Sequence, residues 1–126
     1  PGVGLGALLR SVRWALVASE VTGSYPLTLR ALGTLRERTG AWDAKVARAL
    51  ALVLSEAGDT LIARKWGLRA YLASRAEVLV YARLVGPLKA MEVLDRAWRS
   101  RGWSPGSSLD VVAAAIGLYL VSKARL

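Results

Sequence analysis

The sequence predicts an all-α fold, a compact bundle of six or seven helices with its carboxyl-terminal helix buried. Apolar residues recur at spacings of three and four along most of the chain. Glycine and proline are scattered rather than clustered, and several fall between these periodic stretches, where helices begin and end. β-branched residues are scattered and no two alternating runs flank a hairpin turn, so no strand is predicted. With 126 residues and 54% hydrophobic content, residues 1–126 read as a single all-α domain large enough for one core.

Each helix has its own signal. From Leu5 to about Val21, Leu8, Val12, Ala15 and Leu16 make a stripe, with Arg10 and Arg13 off it. Gly23 and Ser24 break that pattern, and Pro26 suits the first turn of a second helix carrying Leu27, Leu29, Leu32 and Leu35 and ending by Gly40. In the third, Trp42, Val46, Ala49, Leu50, Val53 and Leu54 align, while Lys45, Arg48 and Ser55 lie away from them. Gly58 either ends this helix or sits inside a longer one reaching Trp66. Leu68, Leu72, Ala76 and Leu79 share a face of a helix that runs to Val85, where Gly86-Pro87 stops it and starts the next. That one extends from Leu88 to about Ser100, with Met91, Leu94 and Trp98 inward.

The stretch SPGSSLD, Ser104 to Asp110, then turns the chain into its most apolar helix. Ser107 or Ser108 is the expected N-cap, and Asp110 in the first turn complements the helix dipole. Beyond it Val111, Val112, Ala113, Ile116, Leu118 and Leu120 leave no polar face, the pattern of a buried helix. Five tryptophans, Trp14, Trp42, Trp66, Trp98 and Trp103, sit among apolar neighbours, which assigns most of them to the core, with Trp66 and Trp103 as exceptions.

Composition narrows the chemistry. The chain has no cysteine and no histidine, which removes disulfides, a cysteine nucleophile and the usual zinc sites. Catalysis would fall to Asp, Glu, Ser, Tyr or Lys. Basic residues number 18 against 9 acidic ones, for a net charge of +9, and 14 of them are arginine. Either an anionic partner or an arginine-rich solvated surface explains this balance. The longest apolar run, Val111 to Val121, falls short of the ~20 residues that span a bilayer, so no membrane crossing is expected. The amino end lacks the layout of a signal peptide, and a cytoplasmic location is expected. Because the chain begins at Pro1, it is expected to be processed or to be the carboxyl-terminal part of a longer protein.

Two segments are candidates for a site. In LSEAGDTLIARKWG, a continuous helix would bring Glu56, Asp59 and Thr60 together at spacings of three and four, a carboxylate pair suited to magnesium, with Arg64 and Lys65 one turn later for phosphate. The other reading of the same residues is a helix junction, with Asp59 as an N-cap, Glu56 solvated and the basic pair exposed. In SPGSSLD, Ser104, Gly106, Ser107, Ser108 and Asp110 surround a helix start whose free N–H groups suit an anion, or else they form only a turn and a cap.

The order of these two segments resembles the carboxyl-terminal half of the triphosphoribosyl-dephospho-CoA synthase family. Its members share an Asp-Thr followed by a basic residue and glycine, and later a Ser-Pro-Gly-Gly-Ser-x-Asp turn before an alanine-rich helix. Asp59, Thr60, Ser104, Pro105, Gly106, Ser108 and Asp110 fall on those positions, and the likeness runs from about Leu50 to about Leu120. The chain departs from the pattern at Leu61, at Lys65-Trp66-Gly67 and at Ser107, in the manner of a divergent, archaeal-type branch. It also lacks the family's Pro-Gly-Leu-Val-Asp and Gly-Ala-His-x-Asp-Met type segments.

The resemblance implies a transferase that moves a triphosphoribosyl group from ATP to dephospho-CoA with loss of adenine. It implies ATP and dephospho-CoA as substrates, magnesium as the companion ion, and a missing amino-terminal half or partner chain without which this piece is inactive. Under it, Glu56 and Asp59 serve magnesium or hydroxyl activation, and Thr60, Arg64, Lys65, Ser104, Gly106, Ser107, Ser108 and Asp110 bind substrate. It further requires Asp59 and Ser108 to meet in space. The competing expectations are a basic helical nucleic-acid-binding module, whose affinity would fall steeply with salt, and a non-catalytic assembly fragment.

Overall fold

In a computed structural model the described residues are 25–124, together with Ala7, Arg10 and Trp14. Those three amino-terminal residues are helical; the rest of the first expected helix lies outside the described residues. Six helices follow: α1 (Tyr25–Leu35), α2 (Trp42–Glu56), α3 (Thr60–Trp66), α4 (Leu68–Val85), α5 (Pro87–Arg101) and α6 (Gly106–Ala124). No strand occurs among the described residues, and the fold is an all-α bundle.

The bundle is built around α2. This helix packs against α1, α4, α5 and α6, and buries Ala47, Ala49, Ala51, Val53 and Leu54 on more than one side. Ala49 and Val53 join Ala31 and Leu35 of α1 and Val111, Val112 and Ala115 of α6 in one apolar cluster. Ala51 and Leu54 face another, with Ile62 of α3, Ala70 and Val78 of α4, and Leu94 and Trp98 of α5. Alanine dominates the contact positions, which lets the axes approach closely. The alternation of two apolar faces on one helix is what makes it central.

Helix ends follow the punctuation. Gly67 and Gly86 adopt φ of +90° and +85°, conformations that favour glycine, and Pro87 opens α5 without a lost hydrogen bond. At the end of α5 the N–H of Gly102 donates to the Arg99 carbonyl and that of Trp103 to the Trp98 carbonyl. This is a Schellman closure, and its usual apolar contact is present as the Trp98–Trp103 ring pair, with centroids 6.1 Å apart.

Four expectations are corrected. The face of α4 made by Leu68, Leu72, Ala76 and Leu79 is exposed; Ala70, Ser74 and Val78 are inward instead. Periodicity finds residues that share a face, but α4 carries apolar residues on both faces and the neighbouring helices select the one with small side chains. Leu29 of α1 is likewise exposed, while Thr28 is buried. The last helix is not buried all round: Val111, Val112, Ala114 and Ala115 are inward, but Leu109, Ala113 and Leu120 are exposed, and among the described residues only α1, α2 and α3 pack against it. By length and composition alone Gly106–Lys123 is also long and apolar enough for a membrane span, a test that the core helices of globular proteins pass as well. Of the tryptophans only Trp98 is deeply buried; Trp14, Trp42 and Trp66 are exposed and Trp103 is half-buried.

Candidate functional site: a junction of two helix starts

Gly58 separates α2 from α3, so the continuous helix that would bring Glu56 beside Asp59 is not formed. Gly58 has φ +73°, and its N–H still donates to the Leu54 carbonyl as α2 ends. Asp59 becomes the N-cap of α3. Its Oδ1 accepts from the N–H groups of Leu61 and Ile62 at 2.9 and 3.0 Å. Its Oδ2 accepts from the Ser108 N–H in the first turn of α6, at 2.8 Å. One fully buried carboxylate therefore caps two helices that lie about 50 residues apart in sequence.

The expected meeting of Asp59 and Ser108 thus occurs, as a buried tie. A second bond reinforces it: Ser107 Oγ accepts from the Thr60 N–H at 3.0 Å. The two helix starts cap each other in both directions. Gly106 lies close against the other helix start: a Cβ there would stand 2.7 Å from Leu61 Cδ2, the end of a side chain that would have to shift. The serines do not act as N-caps of their own helix, as the sequence reading had them. Helix α6 begins at Gly106, two residues earlier than expected, which moves Ser107 and Ser108 inside the first turn and Asp110 beyond it. Ser108 Oγ is buried without a hydrogen-bond partner among the described residues.

Around this buried centre the remaining candidates are exposed: Thr60, Arg64, Lys65, Ser104 and Asp110. Thr60 and Arg64 are one turn apart on α3 and share a face of it, and the Thr60 N–H meets Ser107. Arg64 and Lys65 occupy the last turn of α3, where cations complement the helix dipole, and neither has an ion pair among the described residues. Glu56 points elsewhere, into a two-pronged ion pair with Arg30 of α1. That pair is exposed, so Glu56→Gln is expected to lower stability by less than about 1 kcal/mol, read as a shift of denaturant midpoint at unchanged slope.

The residues present do not fit a magnesium site made by Glu56 and Asp59. Asp59 is enclosed and directs its oxygens to three backbone N–H groups, and Glu56 engages Arg30. No group of three carboxylates, histidines or cysteines suited to a metal occurs among the described residues.

Three contributors escaped the sequence reading. Tyr71 Oη donates to the Ala57 carbonyl, and Arg75 donates to the carbonyls of Ser55 and Glu56, at 3.2 and 3.0 Å through Nη2. These residues, one turn apart on α4, satisfy the carboxyl-terminal end of α2 just before Gly58. The third is a cavity of about 250 Å³ on the other side of the SPGSSLD turn, between α2, α5 and the start of α6. Only the i, i+4 spacing of Tyr71 and Arg75 was visible in the sequence; their target was not.

No curated protein and no solved structure matches this chain. The two motifs that the Asp59 tie joins lie within a match to one family model, which extends over residues 4–126 and describes ATP:dephospho-CoA triphosphoribosyl transferase (CitG). The chain belongs to that family.

Proposed function

We propose that the chain takes part in moving a triphosphoribosyl group from ATP to dephospho-CoA, with the exposed rim of the two-helix junction holding the phosphates. In this reaction the 2′-oxygen of the dephospho-CoA ribose bonds to the anomeric carbon of ATP. The bond from that carbon to adenine breaks, adenine leaves with the electron pair and takes up a proton, and the hydroxyl gives up its own, so the charges balance. Such a transfer needs neutralisation of a triphosphate and support for positive charge at the anomeric carbon.

One observation carries the assignment: the Asp59 carboxylate fixes the start of α6 against the start of α3, which sets Ser107 beside Thr60. Ser107 of one motif and the exposed Thr60 and Arg64 of the other, one turn apart on α3, would then form one edge, and a guanidinium is suited to bidentate contact with phosphate. Asp59 acts in this reading as a positioning residue. Magnesium enters only as the companion of the triphosphate, and no residue here is assigned to it.

The test is a set of melting curves of the chain with ATP and with dephospho-CoA. ATP is expected to raise the melting temperature, since ligand at 100 times its Kd adds about 2.7 kcal/mol of stability. Arg64→Ala is expected to weaken ATP roughly tenfold, the equivalent of about 1.4 kcal/mol, with the ligand-free melt almost unchanged. Arg96→Ala, on the exposed side of α5, should leave ATP affinity alone. An Arg64 variant with undiminished ATP affinity would remove the phosphate edge from this location.

A further inference from the structure

We infer that the cavity beside the SPGSSLD turn receives the purine ring of a nucleotide substrate, an assignment that rests on the transferase reading above. The cavity encloses about 250 Å³. That is below the roughly 300–1,000 Å³ of pockets that swallow a whole drug-sized molecule, and it suits a ring system whose sugar and phosphates stay outside.

Its walls and mouth have different chemistry. Met91, Leu94, Trp98 and Trp103 supply apolar and aromatic surface, with the Trp103 ring held in place by the Schellman turn at Gly102 and covered by the Arg101 guanidinium 4.7 Å from its centroid. Asp95 and Ser104 line the same cavity and are exposed, which puts them at its mouth. Asp95 Oδ1 accepts from Arg99 Nε at 3.2 Å, and Oδ2 has no partner among the described residues. The one cation in the lining, Arg99, is already paired with Asp95, so a phosphate would meet that carboxylate beside it and apolar walls elsewhere. A flat heterocycle with an exocyclic amine meets instead aromatic walls for its faces, a carboxylate oxygen for its N–H and a hydroxyl for a ring nitrogen.

The cavity and the phosphate edge are two ends of one turn. Ser104 lines the cavity, and Ser107 accepts from Thr60 at the phosphate edge. Ser104 and Ser107 are three positions apart in the chain, at most about 11 Å when extended. A nucleotide with its base in the cavity would therefore run its phosphates along the turn toward Ser107 and Arg64.

Calorimetric titration with adenosine and, separately, with inorganic tripolyphosphate tests the two ends independently. The informative variant is Leu109→Trp, because Leu109 lines the cavity yet is 47% exposed, so a larger side chain obstructs the space without entering the core. It is expected to weaken adenosine at least tenfold and to leave tripolyphosphate unchanged, with an unaltered far-ultraviolet circular dichroism spectrum. Trp103→Ala, which removes a wall, is expected to give the same loss. ATP and dephospho-CoA both carry adenine, and whichever of them weakens in Leu109→Trp is the source of the base that enters. Adenosine binding that both variants leave intact, or wild-type chain that binds tripolyphosphate but no adenosine, overturns the assignment. Wild-type chain that binds adenosine but no tripolyphosphate counts against the phosphate edge and leaves the base cavity standing.

Discussion

Replacing Asp59 with alanine is expected to remove about 3–4 kcal/mol of folding stability, enough to lower the melting temperature by on the order of 10 °C or more. The carboxylate is fully buried and accepts from three backbone N–H groups. Losing an N-cap alone costs about 1 kcal/mol, and each buried donor left without an acceptor costs about 1–3 kcal/mol before relaxation. Water reaching the opened space limits the sum. Asp59→Asn separates the two halves of the tie. One amide oxygen can still cap α3, but the –NH2 then opposes the Ser108 N–H, donor against donor, so a loss of about 2 kcal/mol is expected. Chemical denaturation of wild type, Asn and Ala variants gives the ranking directly. A change below about 1 kcal/mol in the alanine variant would mean that the two helix starts hold together without this carboxylate. Under the proposed function, both variants also weaken ATP by releasing Ser107 from Thr60.

How much of this was legible beforehand depends on the kind of signal. Helix existence was, because periodic apolar spacing and single Gly or Pro residues are local: α2, α5 and the Gly86-Pro87 junction appear where the sequence puts them. The link between the two motifs came from family resemblance, and Asp59 as a cap was one of two readings the local residues allowed. What the sequence could not carry was direction. Leu68, Leu72 and Leu79 share a face as read, yet that face is outward, since the partner helices choose between two apolar sides of α4. The caps of α6 failed for a similar reason. A serine near a helix start is a good local acceptor, but a carboxylate 49 residues away took the Ser108 N–H and let the helix begin earlier. The Glu56–Arg30 pair and the base cavity are made by residues far apart in the chain, with no spacing rule to announce them.

Gly58→Ala is the second substitution expected to do large damage, about 3 kcal/mol, and it can be divided into its causes. The backbone there has φ +73°, a conformation that costs an L-residue roughly 1–2 kcal/mol. An added Cβ would also lie 2.2 and 2.6 Å from Cε2 and Cζ of Tyr71 and 2.8 Å from Cδ of Arg75. Arg75 can turn its Cδ away at the expense of its bonds to the Ser55 and Glu56 carbonyls. The Tyr71 ring is rigid, and its hydroxyl is bonded to the Ala57 carbonyl, next to the substituted residue. Moving the ring breaks that bond and exposes the end of α2, and the chain that leaves this end is the one that delivers Asp59 to both helix starts. In a Tyr71→Ala background the ring collision is gone and the backbone term remains with the looser Arg75 contact, so Gly58→Ala should then cost about 1–2 kcal/mol. Equal costs in the two backgrounds would show that the backbone conformation alone demands glycine. A smaller cost in the Tyr71→Ala background identifies the ring of α4 as the wall against which the α2–α3 junction is set.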